Sequence, residues 1–148
     1  MQENVLIGQR PFVLLVERAA SPETRKDTIV TQYAALIYTK DVDWSLPEYA
    51  DVSEEYSKFG ENNAASIRGG AALYQTSTAT VVRVKGARGG EVVTTDGPYA
   101  ETKEALTGFY VVEADDLDAA IAIAAQIPAA WDGAVELRPV NSMGADNG

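Results

Sequence analysis

Two stretches of this chain carry an apolar stripe at helical spacing, and short strand-like runs bracket each of them. Tyr49, Val52, Tyr56 and Phe59 recur at i, i+3, i+7 and i+10, and Pro47 suits the first turn of a helix ending near Asn62 or Asn63. Its other face is acidic. Asp115 or Asp116 caps a second helix, in which Leu117, Ile121, Ala124 and Ile127 face inward and Pro128 is the stop. Tyr33-Ala34-Ala35-Leu36-Ile37-Tyr38 is apolar enough for a strand covered on both faces. Gly69-Gly70 opens a strand through Ala71 to Tyr74, and Thr78 to Lys85 follows as another. The hairpin loop Gly86-Ala87-Arg88-Gly89-Gly90 leads into Glu91 to Thr95; Thr107 to Glu113 and Val135 to Val140 complete the set. The order β-α-β-(hairpin)-β-α-β predicts an α+β fold, a ferredoxin-like βαββαβ domain with an inserted hairpin and helices on one sheet face only. The other face needs a cover of its own.

Between two of these strands lies Asp96-Gly97-Pro98-Tyr99-Ala100-Glu101-Thr102-Lys103-Glu104, a segment with a forced turn, three carboxylates and one ammonium. Gly97 can take a positive φ and Pro98 fixes its own, so the chain turns sharply after the strand. A short helical turn over Ala100 to Leu106 would put Glu101 and Glu104 on one face with Lys103 beside them and Asp96 at the turn mouth. Asp96, Glu101, Lys103 and Glu104 are therefore the candidate acid/base residues. They also have a structural explanation, since Asp96 can cap its own turn and Glu101 can satisfy backbone donors.

This segment resembles the DGPF-type motif of the YCII-related proteins, with Tyr99 where Phe is usual. The resemblance extends upstream to Thr78-Ala79-Thr80-Val81-Val82-Arg83-Val84. Downstream it takes in Gly108 to Glu113, Asp116 to Ala120 and Val135 to Val140, so that it spans Gln32 to Val140. It implies a bacterial protein whose sheets pair as a dimeric α/β barrel. Tyr33 or Tyr38, Arg83, Tyr110, Glu136 and Arg138 would then lie on the uncovered sheet side. Tyr38, Arg83, Tyr99, Tyr110 and Arg138 are the candidate ligand-binding residues, and Glu136 with Arg138, sharing a face at i, i+2, are equally a cross-strand ion pair at an interface. Two functions follow from the resemblance. One is a cofactor-independent isomerase, lyase or cyclase acting on an organic metabolite by proton transfer. The other is a non-catalytic ligand-binding or accessory protein linked to sigma-factor regulation.

Composition narrows the chemistry. The chain has neither cysteine nor histidine, which removes thiolate nucleophiles, Ser-His-Asp units and His- or Cys-built metal sites. No metal and no cofactor is expected, and the carboxylates match no calcium-loop spacing. Twelve basic against twenty-two acidic residues give a net charge of −10, which argues against nucleic acid and anionic membranes as partners. The expected partners are a second copy and a small organic ligand. No apolar run approaches the length of a membrane span, and the amino-terminal sequence does not read as a secretory signal, so a cytoplasmic location is expected. Seven tyrosines suit a flat ligand; Trp44 and Trp131 fall in loops where they can rim a pocket.

The domain is expected to cover residues 31–141. Residues 1–30 read as an extension: a tail, an added edge strand over Phe12 to Val16, or sequence preceding a true start at Val30. Residues 142–148 read as a disordered tail. Deleting residues 1–29 is predicted to leave the melting temperature nearly unchanged. A fall of many degrees would make Phe12 to Val16 a strand, since one lost kcal/mol shifts a domain of this size by only about 2–8 °C.

Overall fold

A computed structural model describes residues 31–141; the expectations for residues 1–30 and 142–148 lie outside them. Six strands and three helices follow in order: β1 (Thr31–Thr39), α1 (Ala50–Asn62), β2 (Ile67–Ala72), β3 (Thr80–Lys85), β4 (Glu91–Asp96), β5 (Ala105–Ala114), α2 (Leu117–Ala124), α3 (Ala129–Asp132) and β6 (Ala134–Pro139). Four strands form an antiparallel sheet in the order β2-β5-β1-β6, and β3 and β4 form a separate two-stranded hairpin. The result is an α+β fold compatible with the ferredoxin-like arrangement, its hairpin inserted between β2 and β5. No helix among the described residues is long and apolar enough to cross a membrane.

The burial of β1 alternates. Tyr33, Ala35, Ile37 and Thr39 are buried, whereas Gln32, Ala34, Leu36 and Tyr38 are half-buried on the opposite face. The buried face packs on Phe59 of α1, on Ala124 at the end of α2 and Ile127 in the turn after it, and on Ala129 of α3. Strand alternation thus puts one face of β1 in the core and leaves the other uncovered by any helix. Small residues let the chains approach. Ala120 is fully buried under α2, and a Cβ on Gly108 would stand 2.8 Å from the Ala71 carbonyl oxygen of the neighbouring strand.

Asp116 is the cap of α2, its carboxylate accepting from the Ala119 amide at 2.9 Å. The inward stripe of that helix differs from the expected one. Ala120, Ile123 and Ala124, with Ile127 just past its end, face the core, while Leu117 and Ile121 are about half exposed. Two stripes compete on a helix this rich in apolar residues, and the one carrying alanines wins because it allows the closer approach to the sheet.

The expected helical turn over Ala100 to Leu106 is absent. Residues 100–104 are irregular, and β5 begins at Ala105, two residues before the expected start. The Thr102 hydroxyl donates to the Glu104 carbonyl, a local bond that competes with helix formation. Pairing of Ala105 with Thr39 then draws the chain into the sheet. Glu101 and Glu104 consequently share no helix face. Gly97 does supply the turn, with φ of 101°, and its amide donates to the Ala79 carbonyl at 2.8 Å across the foot of the hairpin.

Phe59 is 2 % exposed and packs against Tyr110 in a tilted contact with ring centroids 5.0 Å apart. Phe59→Ala is predicted to cost about 3–5 kcal/mol, a large part of the roughly 5–15 kcal/mol that holds a domain folded. Asp116→Ala should cost about 1 kcal/mol. Urea unfolding of both variants checks the ranking.

Candidate functional site

The strand register decides which side chains meet on the uncovered face. Leu36 pairs with Phe109 on one side and Glu136 on the other; Ala34 pairs with Val111 and Arg138; Tyr38 pairs with Leu106 and Ala134. Side chains opposite each other share a face, so Tyr38, Glu136 and Arg138 lie together with Leu36, Leu106, Phe109 and Val111. Tyr33 belongs to the core. Tyr110 pairs with Ala35 and packs against Phe59, which puts it on the helix-covered face rather than the uncovered one. Arg83 is not on the sheet: it belongs to the β3–β4 hairpin, where its guanidinium lies 5.4 Å from the Tyr99 ring centroid.

Tyr38 stands diagonal to Glu136 across the β1–β6 pair. Burial raises the Tyr38 phenol above its ordinary value, the Glu136 carboxylate raises it further by its charge and as an acceptor, and Arg138 pulls in the opposite direction. Tyr38 is therefore a protonated donor at neutral pH. At the opposite end of β1, Glu113 pairs with Arg68 at 2.9 Å and accepts from Gln32 at 3.3 Å.

An open cleft of about 210 Å³ lies at the sheet end where β1 stops and β5 starts, lined by Asp41, Thr76, Pro98, Ala100, Glu101, Thr102 and Ala105. The motif loop supplies four of these residues. Asp41 ties the far wall together, accepting from the Thr76 amide at 2.9 Å and from the Thr76 hydroxyl. Glu101 lines the cleft; Asp96, Lys103 and Glu104 do not, and all four are exposed. Cleft and cluster adjoin along the sheet. Thr39 pairs with Ala105 of the cleft wall, and Tyr38 pairs with the next residue, Leu106.

Sequence reasoning missed Asp41 and Thr76, whose bond spans 35 positions and leaves no local pattern. Trp131 is exposed and donates from Nε1 to the Ala125 carbonyl at 3.0 Å, outside the cleft. Among the described residues, no group of three His, Cys, Asp or Glu is placed to hold a metal ion.

Against known proteins, the family description "YCII-related domain" matches residues 31–144, a span that includes the whole sheet, the hairpin and the motif loop. The chain belongs to this family. It is also 34 % identical over 117 residues to "Uncharacterized protein R00369" of Rhizobium meliloti (strain 1021), an alignment covering 73 % of this chain and 90 % of that protein.

Beneath the sheet, burial pushes the Tyr56 phenol up to about 12, with Tyr110 beside it adding to the shift. A phenol favoured in its neutral form when folded contributes stability that is complete below its unfolded value. That contribution is lost as pH rises through the folded value. The chain is thus predicted to lose stability between pH 10 and about 12, and Tyr56→Phe should flatten that part of the profile. Denaturant midpoints measured across the window test this; an unchanged slope in the variant would reject it.

Proposed function

We propose that this YCII-related chain is a small-molecule-binding protein that acts as a homodimer and moves a proton on an organic metabolite, as an isomerase, lyase or cyclase. The observation that carries the reading is the cluster of Tyr38, Glu136 and Arg138 on the uncovered sheet face. Its three groups divide the work. A phenol kept protonated donates to an oxygen as charge develops on it, a carboxylate takes and returns a proton, and a guanidinium anchors an acidic substituent of the substrate. Such chemistry needs neither imidazole nor thiol.

Glu101 is the second candidate acid/base group, because it lines the cleft that adjoins the cluster. A ligand lying along the sheet end would touch both. Asp96, Lys103 and Glu104 flank Glu101 along the chain, and Tyr99 carries Arg83 against its ring on the hairpin side, outside the cleft lining. Tyr110 acts in this reading from beneath, by holding Phe59 and the sheet in place.

The dimer has its own support. Leu106 is 39 % exposed on the uncovered face, and Val82 and Val92 of the hairpin are 60 % and 63 % exposed. Apolar surface of this extent calls for a partner, and pairing the uncovered faces of two copies would close an α/β barrel over the two clusters. The exposure of Asp96, Glu101, Lys103 and Glu104 favours a second reading, in which the chain binds a ligand without transforming it and serves as an accessory protein to sigma-factor regulation. None of the candidate carboxylates, Glu136 included, is buried in the single chain.

Screening organic acids and neutral metabolites by melting shift, followed by turnover assays on the hits, separates the readings. Glu136→Gln and Tyr38→Phe should each lower turnover about 100-fold or more while changing the melting temperature by less than roughly 2 °C. Turnover that survives in both these variants and in Glu101→Gln would exclude the assigned acid/base groups, and binding without turnover would select the accessory role. Sedimentation as a monodisperse monomer at micromolar concentration would end the dimer.

A further inference from the structure

The segment leaving β1, Lys40–Tyr49, holds one cation, two aromatic rings and three carboxylates within ten residues. Geometry brings the cation and the rings together. The Trp44 and Tyr49 rings meet with centroids 4.6 Å apart and planes inclined by 51°, an open V rather than a stack. The Lys40 ammonium lies 5.8 Å from the first centroid and 5.4 Å from the second. Both distances fall within the range in which an aromatic face attracts a cation.

The surroundings are acidic. Asp43 accepts from the Ser45 hydroxyl at 2.6 Å and from the Ser45 amide at 3.0 Å, which keeps its carboxyl below the ordinary range and ionised. Burial and then the Glu48 carboxylate beside it raise the Tyr49 phenol, and Asp41, next to Lys40 in the chain, lines the cleft. The next basic residue along the chain is Lys58, which pairs with Glu55 at 3.7 Å.

The indole supplies a separate observation. The Trp44 Nε1–H is buried and finds no acceptor among the described residues. Buried donors are satisfied in native structures as a rule, so this one points to an oxygen that the described chain does not provide.

We propose that the Trp44–Tyr49 pair is a binding seat for a small organic ammonium bearing an oxygen acceptor, in its simplest form an amino alcohol, and that Lys40 fills the seat with its own ammonium when no ligand is bound. The lysine head stands in for the ligand's cation. A quaternary ammonium is less strongly hydrated than a lysine head and leaves water more readily, so it can displace Lys40. The ligand's hydroxyl oxygen then accepts from the indole, and the carboxylates at the rim select against anions. The seat lies outside the Tyr38–Glu136–Arg138 cluster, and the proposal stands whether or not that cluster moves protons.

Choline is the probe. The chain has two tryptophans, so ¹⁵N-labelled protein gives two indole N–H cross-peaks, assigned with Trp131→Phe. Added choline should shift the Trp44 peak saturably and leave the Trp131 peak in place. Lys40→Met, at an exposed position, should tighten binding about fivefold or more by removing the competing cation. The neutral isostere 3,3-dimethylbutan-1-ol should bind at least about tenfold more weakly. Absence of a saturable Trp44 shift up to about 100 mM choline in both proteins would overturn the seat. Equal binding of the neutral alcohol would overturn its cation chemistry, and unchanged affinity in a folded Lys40→Met protein would overturn occupation by Lys40.

Discussion

Strand β1 is hydrogen-bonded along both edges, to β5 and to β6, and its alternating side chains divide the molecule into a core side and a site side. Ala35 and Ile37 anchor the core by receiving Phe59, Ile127 and Ala129. Fixing those contacts fixes the register, because a slip of one residue would turn Ala35 and Ile37 outward and bury Tyr38. Burial on one side of the strand therefore determines which groups appear on the other. Tyr38 stands beside Glu136 and Arg138 because Phe59 holds the opposite face. The chemistry of the uncovered face depends on packing that it never touches.

Much of this architecture was legible in the sequence because it rests on local signals. Pro47 with the Tyr49-Val52-Tyr56-Phe59 stripe marks α1, Asp116 marks the start of α2, and the glycine-rich loop over residues 86–90 marks the hairpin. The errors arose where two local signals were equally good. Leu117 and Ile121 compete with Ala120 and Ile123 for the inward face of α2, and only the distance to the sheet decides between them. The parity of a strand is likewise invisible until its partner is known, which is why Tyr110 was expected beside Arg138 and lies instead against Phe59.

The candidate site was less legible than the fold. The motif loop could be found from its turn residues, but the cleft beside it is half built by Asp41 and Thr76, brought together from distant parts of the chain. The polar character of Asp96 to Glu104 suggested a helical face of paired carboxylates. Thr102 and the pull of β5 give an irregular loop, in which Glu101 lines the cleft and Lys103 and Glu104 do not. Composition had more reach than motif: without histidine or cysteine, any acid/base chemistry would fall to carboxylates, lysine, tyrosine, arginine or a borrowed cofactor, and the register brings a phenol, a carboxylate and a guanidinium together around Tyr38.

The β3–β4 hairpin is a sheet of its own, closed at its foot where the Gly97 amide meets the Ala79 carbonyl, with Arg83 resting on Tyr99. One of its faces, with Val82, Val84 and Val92, is open to solvent in the single chain. Two strands alone hold together marginally in water, so in an isolated copy the hairpin amides should open far more often than those of the four-stranded sheet. Hydrogen exchange along this arm then becomes a gauge of assembly. Slow exchange there reports that something covers the valines, while the rate in β1 reports only the stability of the fold.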